Sequence, residues 1–250
     1  ALEASVHSGM FGGAATDPRA ALISMRASLR DEHGNVTVPG IRADQVWQGQ
    51  QYDEQAFRTD AGMLPGTQRL GSGTVSDQLC ARPVITVLGI DAPPVVGAVA
   101  AIQAKAAAKL NLRVPPGEDP AQMRDALIAH LRAVAPWGVK VETEAGELGY
   151  PFMSNTSSPS FALLAGALTD AYDGVETVSS GEGGSIPLTT TLSKINPTAD
   201  IVLLGVSDPE SRIHSTNESV HTEEIRRIAL GEALFLRRLA AHLREDEQVS

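Results

Sequence analysis

The chain has 250 residues, 42% hydrophobic and 20% charged side chains, and a formal net charge of −10. That balance is ordinary for a globular protein. With no basic stripe interleaved with aromatics, it argues against a nucleic-acid partner. No apolar run reaches the roughly 18 residues that span a bilayer, so no membrane segment is expected.

Residues 1–7 carry neither the basic start nor the apolar stretch of a signal peptide. A single cysteine, Cys80, precludes an internal disulfide and fits a reducing compartment, so a cytoplasmic location is the expectation. Asp17-Pro18 reads as an N-cap and first helical position. Leu22, Met25, Arg26 and Leu29 then mark an amphipathic helix predicted to stop near Gly34. Residues 35–82 are rich in Gly, Gln and Asp, with one short helical candidate around Asp53–Ala61. So long a weakly periodic connection is either an excursion over a functional site or a segment whose elements leave no periodic signal.

Pro83–Ile90 is a β-branched strand bounded by prolines. Ala104–Arg113 alternates, with Ala104, Ala106, Ala108, Leu110 and Leu112 on one face, and Arg113 projects from the polar side at its end. Asp119-Pro120 opens a helix whose apolar face is Met123, Leu127, Leu131 and Val134. Val139, Val141 and Thr143 then alternate with polar residues as a further strand. Helix, strand, strand, helix, strand is a split βαβ order lacking its first strand, with residues 1–6 as its stub. The chain is therefore expected to begin inside a domain.

Beyond about Pro151 the pattern changes. Ser158-Pro159 opens a helix faced by Phe161, Leu164, Leu168 and Tyr172. Val175–Val178 and Ile201–Val206 read as short strands. A long final helix is predicted to turn Ile225, Ala229, Ala233, Leu236, Ala240 and Leu243 inward. Alternating helices and apolar strands indicate an α/β layer, too few in number to cover both faces of a sheet.

Ligands in such sheets gather in the loops after strand ends. One such loop holds Glu182, Gly183, Gly184 and Ser185, read equally well as a ligand loop or a tight turn. Phosphate is disfavoured there, because no Lys follows the glycines. Another holds His214, with Asn217 and Glu218 close behind. A metal-ligand setting is reasonable there, although spacing alone favours a loop histidine with Ser219 as helix cap. Glu223-Glu224 is explained by the helix dipole without a metal. His7, beside several glycines, reads on its own as a turn. No Gly-x-Ser-x-Gly elbow is present, which disfavours a serine hydrolase.

Ordered segments together carry a resemblance: His7-Ser-Gly-Met-Phe-Gly-Gly, Val87-Leu-Gly-Ile-Asp-Ala-Pro, Leu112-Arg-Val-Pro-Pro-Gly-Glu-Asp-Pro, Gly181-Glu-Gly-Gly-Ser-Ile-Pro and His214-Ser-Thr-Asn-Glu-Ser. The chain resembles the M20 metallopeptidases, in particular their dipeptidase branch. That resemblance implies an α/β catalytic domain interrupted by a ferredoxin-like α+β lid that forms a homodimer. Residues 1–148 would be the lid, and 149–250 the C-terminal segment of the catalytic domain. It also implies two divalent metal ions, zinc first, with manganese or cobalt as alternatives.

By family position, His214 matches a metal ligand and His7 the lid histidine that reaches the partner subunit's site to stabilise the oxyanion. Arg113 matches the arginine that holds the substrate carboxylate. Glu182, Gly183, Gly184 and Ser185 match the loop lining the substrate site. The family's remaining ligands and its general base precede the lid, so they would come from an N-terminal catalytic segment that is missing here. The implied activity is hydrolysis of a small peptide with a free C-terminus. A non-catalytic dimerising fragment and an N-acyl amino acid deacylase or desuccinylase are the alternatives.

Overall fold

A computed structural model describes residues 1–181, 186–208, 210–213 and 215–249, with side chains to residue 245. The chain divides into two compact units. One gathers Ala1–Gln48 and Gln68–Pro151; the other gathers Gly49–Thr67, Phe152–Gly181 and Ile186–Ser250.

The first unit opens with β1 (Val6–His7), α1 (Ser8–Phe11) and α2 (Pro18–Ala27). The side chain of Asp17 caps α2 by accepting from the Arg19 amide at 2.9 Å, and Pro18 occupies the first turn, where its missing N–H costs nothing. The helix ends at Ala27, well short of Gly34. Ser28 Oγ donates to the Met25 carbonyl, and Arg30 has already left the helix to bridge Val36.

Two antiparallel pairs follow: β1 with β3 (Ala101–Ile102), and β2 (Val84–Asp91) with β4 (Ala107–Arg113). A bulge interrupts the second pair between Val87 and Gly89. The helix α4 (Pro120–Ala133) is capped by Asp119, which accepts from the Gln122 amide at 2.8 Å. Met123 and Leu127 of α4 enter a core with Leu29, Val36, Val38, Ile41 and Ile85, flanked by Leu110 and Leu112. The expected strand at 139–144 forms no ladder. Among the described residues no strand pairs with it, its alternation notwithstanding.

The long 35–82 segment is organised by side chains rather than by periodicity. Asp77, 3% exposed, accepts from the amides of Trp47 (2.7 Å) and Thr74 (2.8 Å). Arg82 donates to the carbonyls of Gln45 and Ser72, each at 2.8 Å, and lies 3.9 Å from Asp77.

In the second unit, α3 (Glu54–Asp60) is capped by Asp53. Then come α5 (Pro159–Ala171), capped by Ser158, α6 (Pro187–Ile195) and α7 (Thr222–Val249). Helices α5 and α7 pack against each other. Gly231 lets them approach, since a Cβ there would lie 2.6 Å from Leu168 Cδ2. Consequently α7 is turned about one residue from the expected orientation. Gly231 is buried, whereas Ile225, Leu236 and Leu243 are exposed. Around this contact Tyr172 donates to Glu224, and Arg227 lies over the Tyr172 ring while pairing with Asp173. Arg238 pairs with Asp170. The expected short strands at 175–178 and 201–206 do not form. Val175, Val178, Leu203 and Leu204 stay exposed, because a strand forms only against a partner ladder.

Candidate active site

His7 sits at the junction of β1 and α1, where it is the N-cap residue. Its Nδ1 accepts from the Gly9 amide at 3.0 Å. In the neutral ring that bond fixes the proton on Nε2, so the exposed edge of the imidazole is a hydrogen-bond donor. The position is secured from several sides. His7 is in register with Ala101, the Ser8 amide donates to the Ala100 carbonyl at 2.9 Å, and Arg19 of α2 donates to the Ala101 carbonyl at 3.2 Å.

Arg113 ends β4 opposite Val84 and is exposed. Among the described residues no carboxylate pairs with it, which leaves its planar fork available to an anion.

The His214 loop is tightly built where it is described. Asp208 Oδ1 accepts from the Glu210 amide (2.9 Å) and from Ser211 Oγ (3.0 Å). Ser211 Oγ in turn accepts from the Asp208 amide at 2.9 Å. Ser219 does not cap α7, which begins at Thr222. Its amide donates to the Ser211 carbonyl at 3.0 Å and so closes the loop. Arg212 (φ +52°) and Asn217 (φ +62°) hold left-handed backbone conformations, a strain that tends to gather at functional loops. Together with Glu210 and Thr59–Gly62 at the end of α3, they line an open cleft of about 760 Å³.

His214 itself and the expected loop residues Glu182, Gly183, Gly184 and Ser185 lie outside the described residues. Glu223 and Glu224 are occupied structurally, Glu223 by Arg226 and Arg227 and Glu224 by Tyr172. Among the described residues no group of three or more His, Cys, Asp or Glu is placed to hold a metal ion. The described residues therefore do not by themselves fit the expected metal pair. The sequence did not reveal the left-handed pair flanking position 214 or the placing of α3 beside this loop; neither Arg nor Asn at those positions signals its backbone angle.

Residues 2–139 match the family model of the M20 peptidase dimerisation domain. This chain belongs to the M20 peptidase family. It is 42% identical over 237 residues to a cysteinylglycine-S-conjugate dipeptidase of Corynebacterium striatum, covering 94% of this chain and 52% of that protein. A Cys-Gly metallodipeptidase of Candida albicans is 29% identical, covering 87% and 47%. The chain thus spans about half the length of the curated relatives it matches.

Among solved structures, a dipeptidase from Saccharomyces cerevisiae superposes with TM-score 0.78 at 23% identity, covering 94% of this chain and 51% of that one. Human carnosine dipeptidase 1 gives 0.76 at 21%, covering 94% and 52%. These matches establish a mixed α/β M20 fold with a dimerisation lid. Among the described residues no helix is long and apolar enough to cross a membrane.

Proposed function

We propose that the full-length protein hydrolyses the peptide bond of dipeptides or small peptides with a free C-terminal carboxylate, cysteinylglycine and its S-conjugates foremost. The carrying observation is the His7 geometry. With Nδ1 engaged by Gly9, Nε2–H is a preset donor for the oxyanion that forms as the carbonyl is attacked, a contribution of about 3–4 kcal/mol. Arg113, exposed and without a carboxylate partner among the described residues, receives the substrate carboxylate through two parallel hydrogen bonds. The names of the relatives support the dipeptide class.

Residues 1–148 act as the lid of a homodimer, delivering His7 to the partner subunit's site, and 149–250 as part of the catalytic domain. His214 is this chain's contribution to a pair of divalent metal ions, zinc by preference, which supplies water activation when bound. The Glu182–Ser185 loop lines the substrate site. The other metal donors and the general base come from a preceding segment of the full-length protein. That segment also covers the exposed apolar faces of α6 and α7. The location is cytoplasmic.

The test is turnover of cysteinylglycine by the metal-loaded full-length protein. His7→Ala lowers kcat about a hundredfold or more with little change in KM. Undiminished turnover rejects the role of His7. Cleavage of N-acetyl amino acids in preference to dipeptides rejects the substrate class.

A further inference from the structure

The connection between β2 and β3 presents an apolar surface that the fold does not use. Residues 92–104 contain no charged side chain, and Val95, Val96 and Val99 are 93%, 91% and 76% exposed. They stand on a β-turn: the Ala98 amide donates to the Val95 carbonyl at 3.3 Å, and Gly97 takes φ +82°, as the third position of a type II turn requires. Turn tips ordinarily carry polar residues that water can solvate. Pro93 and Pro94 restrict the backbone leading in, so a ligand meeting this tip orders little that is not already ordered.

The turn is also tied to His7. Val99 accepts from the Ala101 amide at 2.8 Å, Ala100 accepts from Ser8, and Ala101 is the register partner of His7. Any site that His7 enters receives the valine turn with it.

We infer that the Val95–Val99 turn is a specificity element that packs on the apolar S-substituent of a cysteinylglycine conjugate. The inference rests on the dipeptidase reading above and adds its side-chain preference. A short apolar turn on the connection that leads into the strand paired with His7 gives an alkyl or aryl thioether a surface to leave water for. The unsubstituted thiol of cysteinylglycine is too small to benefit. Hydrophobic contacts of one or two carbon groups are worth about 10-fold or more in discrimination.

The experiment compares kcat/KM for S-benzyl-cysteinylglycine and for cysteinylglycine in the metal-loaded full-length enzyme and its variants. Val96→Asn and Val95→Asn, exposed positions where folding is not at stake, lower the value for the benzyl conjugate about 10-fold. The value for cysteinylglycine stays within about twofold. Val96→Leu, with a larger apolar reach, raises the benzyl conjugate alone. Equal losses on both substrates, or no loss on either, overturn the inference while leaving the peptidase reading intact. Dissociation of the variants to monomers in sedimentation also overturns it, because the valines would then be covered by a second copy of the chain. Failure of the wild-type enzyme to cleave either compound overturns the dipeptidase reading itself.

Discussion

Replacing Asp77 by Ala removes the centre of the polar clasp that organises residues 35–82. The side chain accepts from two backbone amides, Trp47 at 2.7 Å and Thr74 at 2.8 Å, and lies 3.9 Å from Arg82. Each orphaned buried donor costs about 1–3 kcal/mol. Arg82 loses its carboxylate but keeps the carbonyls of Gln45 and Ser72, which holds the total near 3 kcal/mol, at the lower end for a broken buried pair. At about 2–4 °C per kcal/mol for a chain of this size, the Tm of the first unit falls by about 6–12 °C.

Asp77→Asn retains an acceptor for one amide and loses about half as much. The pH dependence has a definite sign. Burial, the largest influence, pushes the Asp77 carboxyl up, but the amides of Thr74 and Trp47, the Thr74 side chain and the Arg82 charge together outweigh it and hold the group below the usual carboxylate range. Its contribution is therefore complete above about pH 4, the unfolded value, and is lost as pH falls further. Thermal unfolding followed by circular dichroism at pH 7 and pH 3 measures both effects. A variant within about 0.5 kcal/mol of wild type at pH 7, the ordinary range for surface changes, refutes the clasp.

Arg113→Ala lowers kcat/KM for dipeptides about 30-fold or more, the loss of a charge-assisted bidentate contact. C-terminally amidated dipeptides are cleaved equally by both forms, and an equal loss on the amides refutes the assignment. Arg113→Lys restores charge without the fork and recovers only part of the rate. Tyr172 is pushed up to about 12 by burial and by its bond to Glu224. Its contribution is intact below about pH 10 and lost as pH rises toward 12. Tyr172→Phe costs about 1 kcal/mol and removes the late step from an ultraviolet phenolate titration.

The helices were legible because their signals are local. Asp17-Pro18, Asp119-Pro120 and Ser158-Pro159 each became an N-cap with proline in the first turn. Strands depend on what lies beside them. Val84–Asp91 found Ala107–Arg113, whereas the short runs at 175–178 and 201–206 found no ladder among the described residues. On α7 apolar residues occur on more than one side, and Gly231, which carries no hydrophobic signal, sets the face that makes the contact. Residues 35–82 resisted sequence reading because side chain-to-backbone bonds such as those of Asp77 have no period. The family motifs singled out His7 and Arg113 as candidates, but no motif predicts that the Gly9 amide engages Nδ1 of His7.

The β1–β3 pairing joins only Val6 with Ile102 and His7 with Ala101. Sliding β3 by a single residue would turn its side chains beside His7 to the opposite face. On the proposed dipeptidase reading, single insertions or deletions between Asp91 and Ala101 should therefore impair the full-length enzyme even though none of its proposed reacting groups lies there. Substitutions in the same stretch should instead shift which peptides it accepts, so its length and its composition are constrained for different reasons.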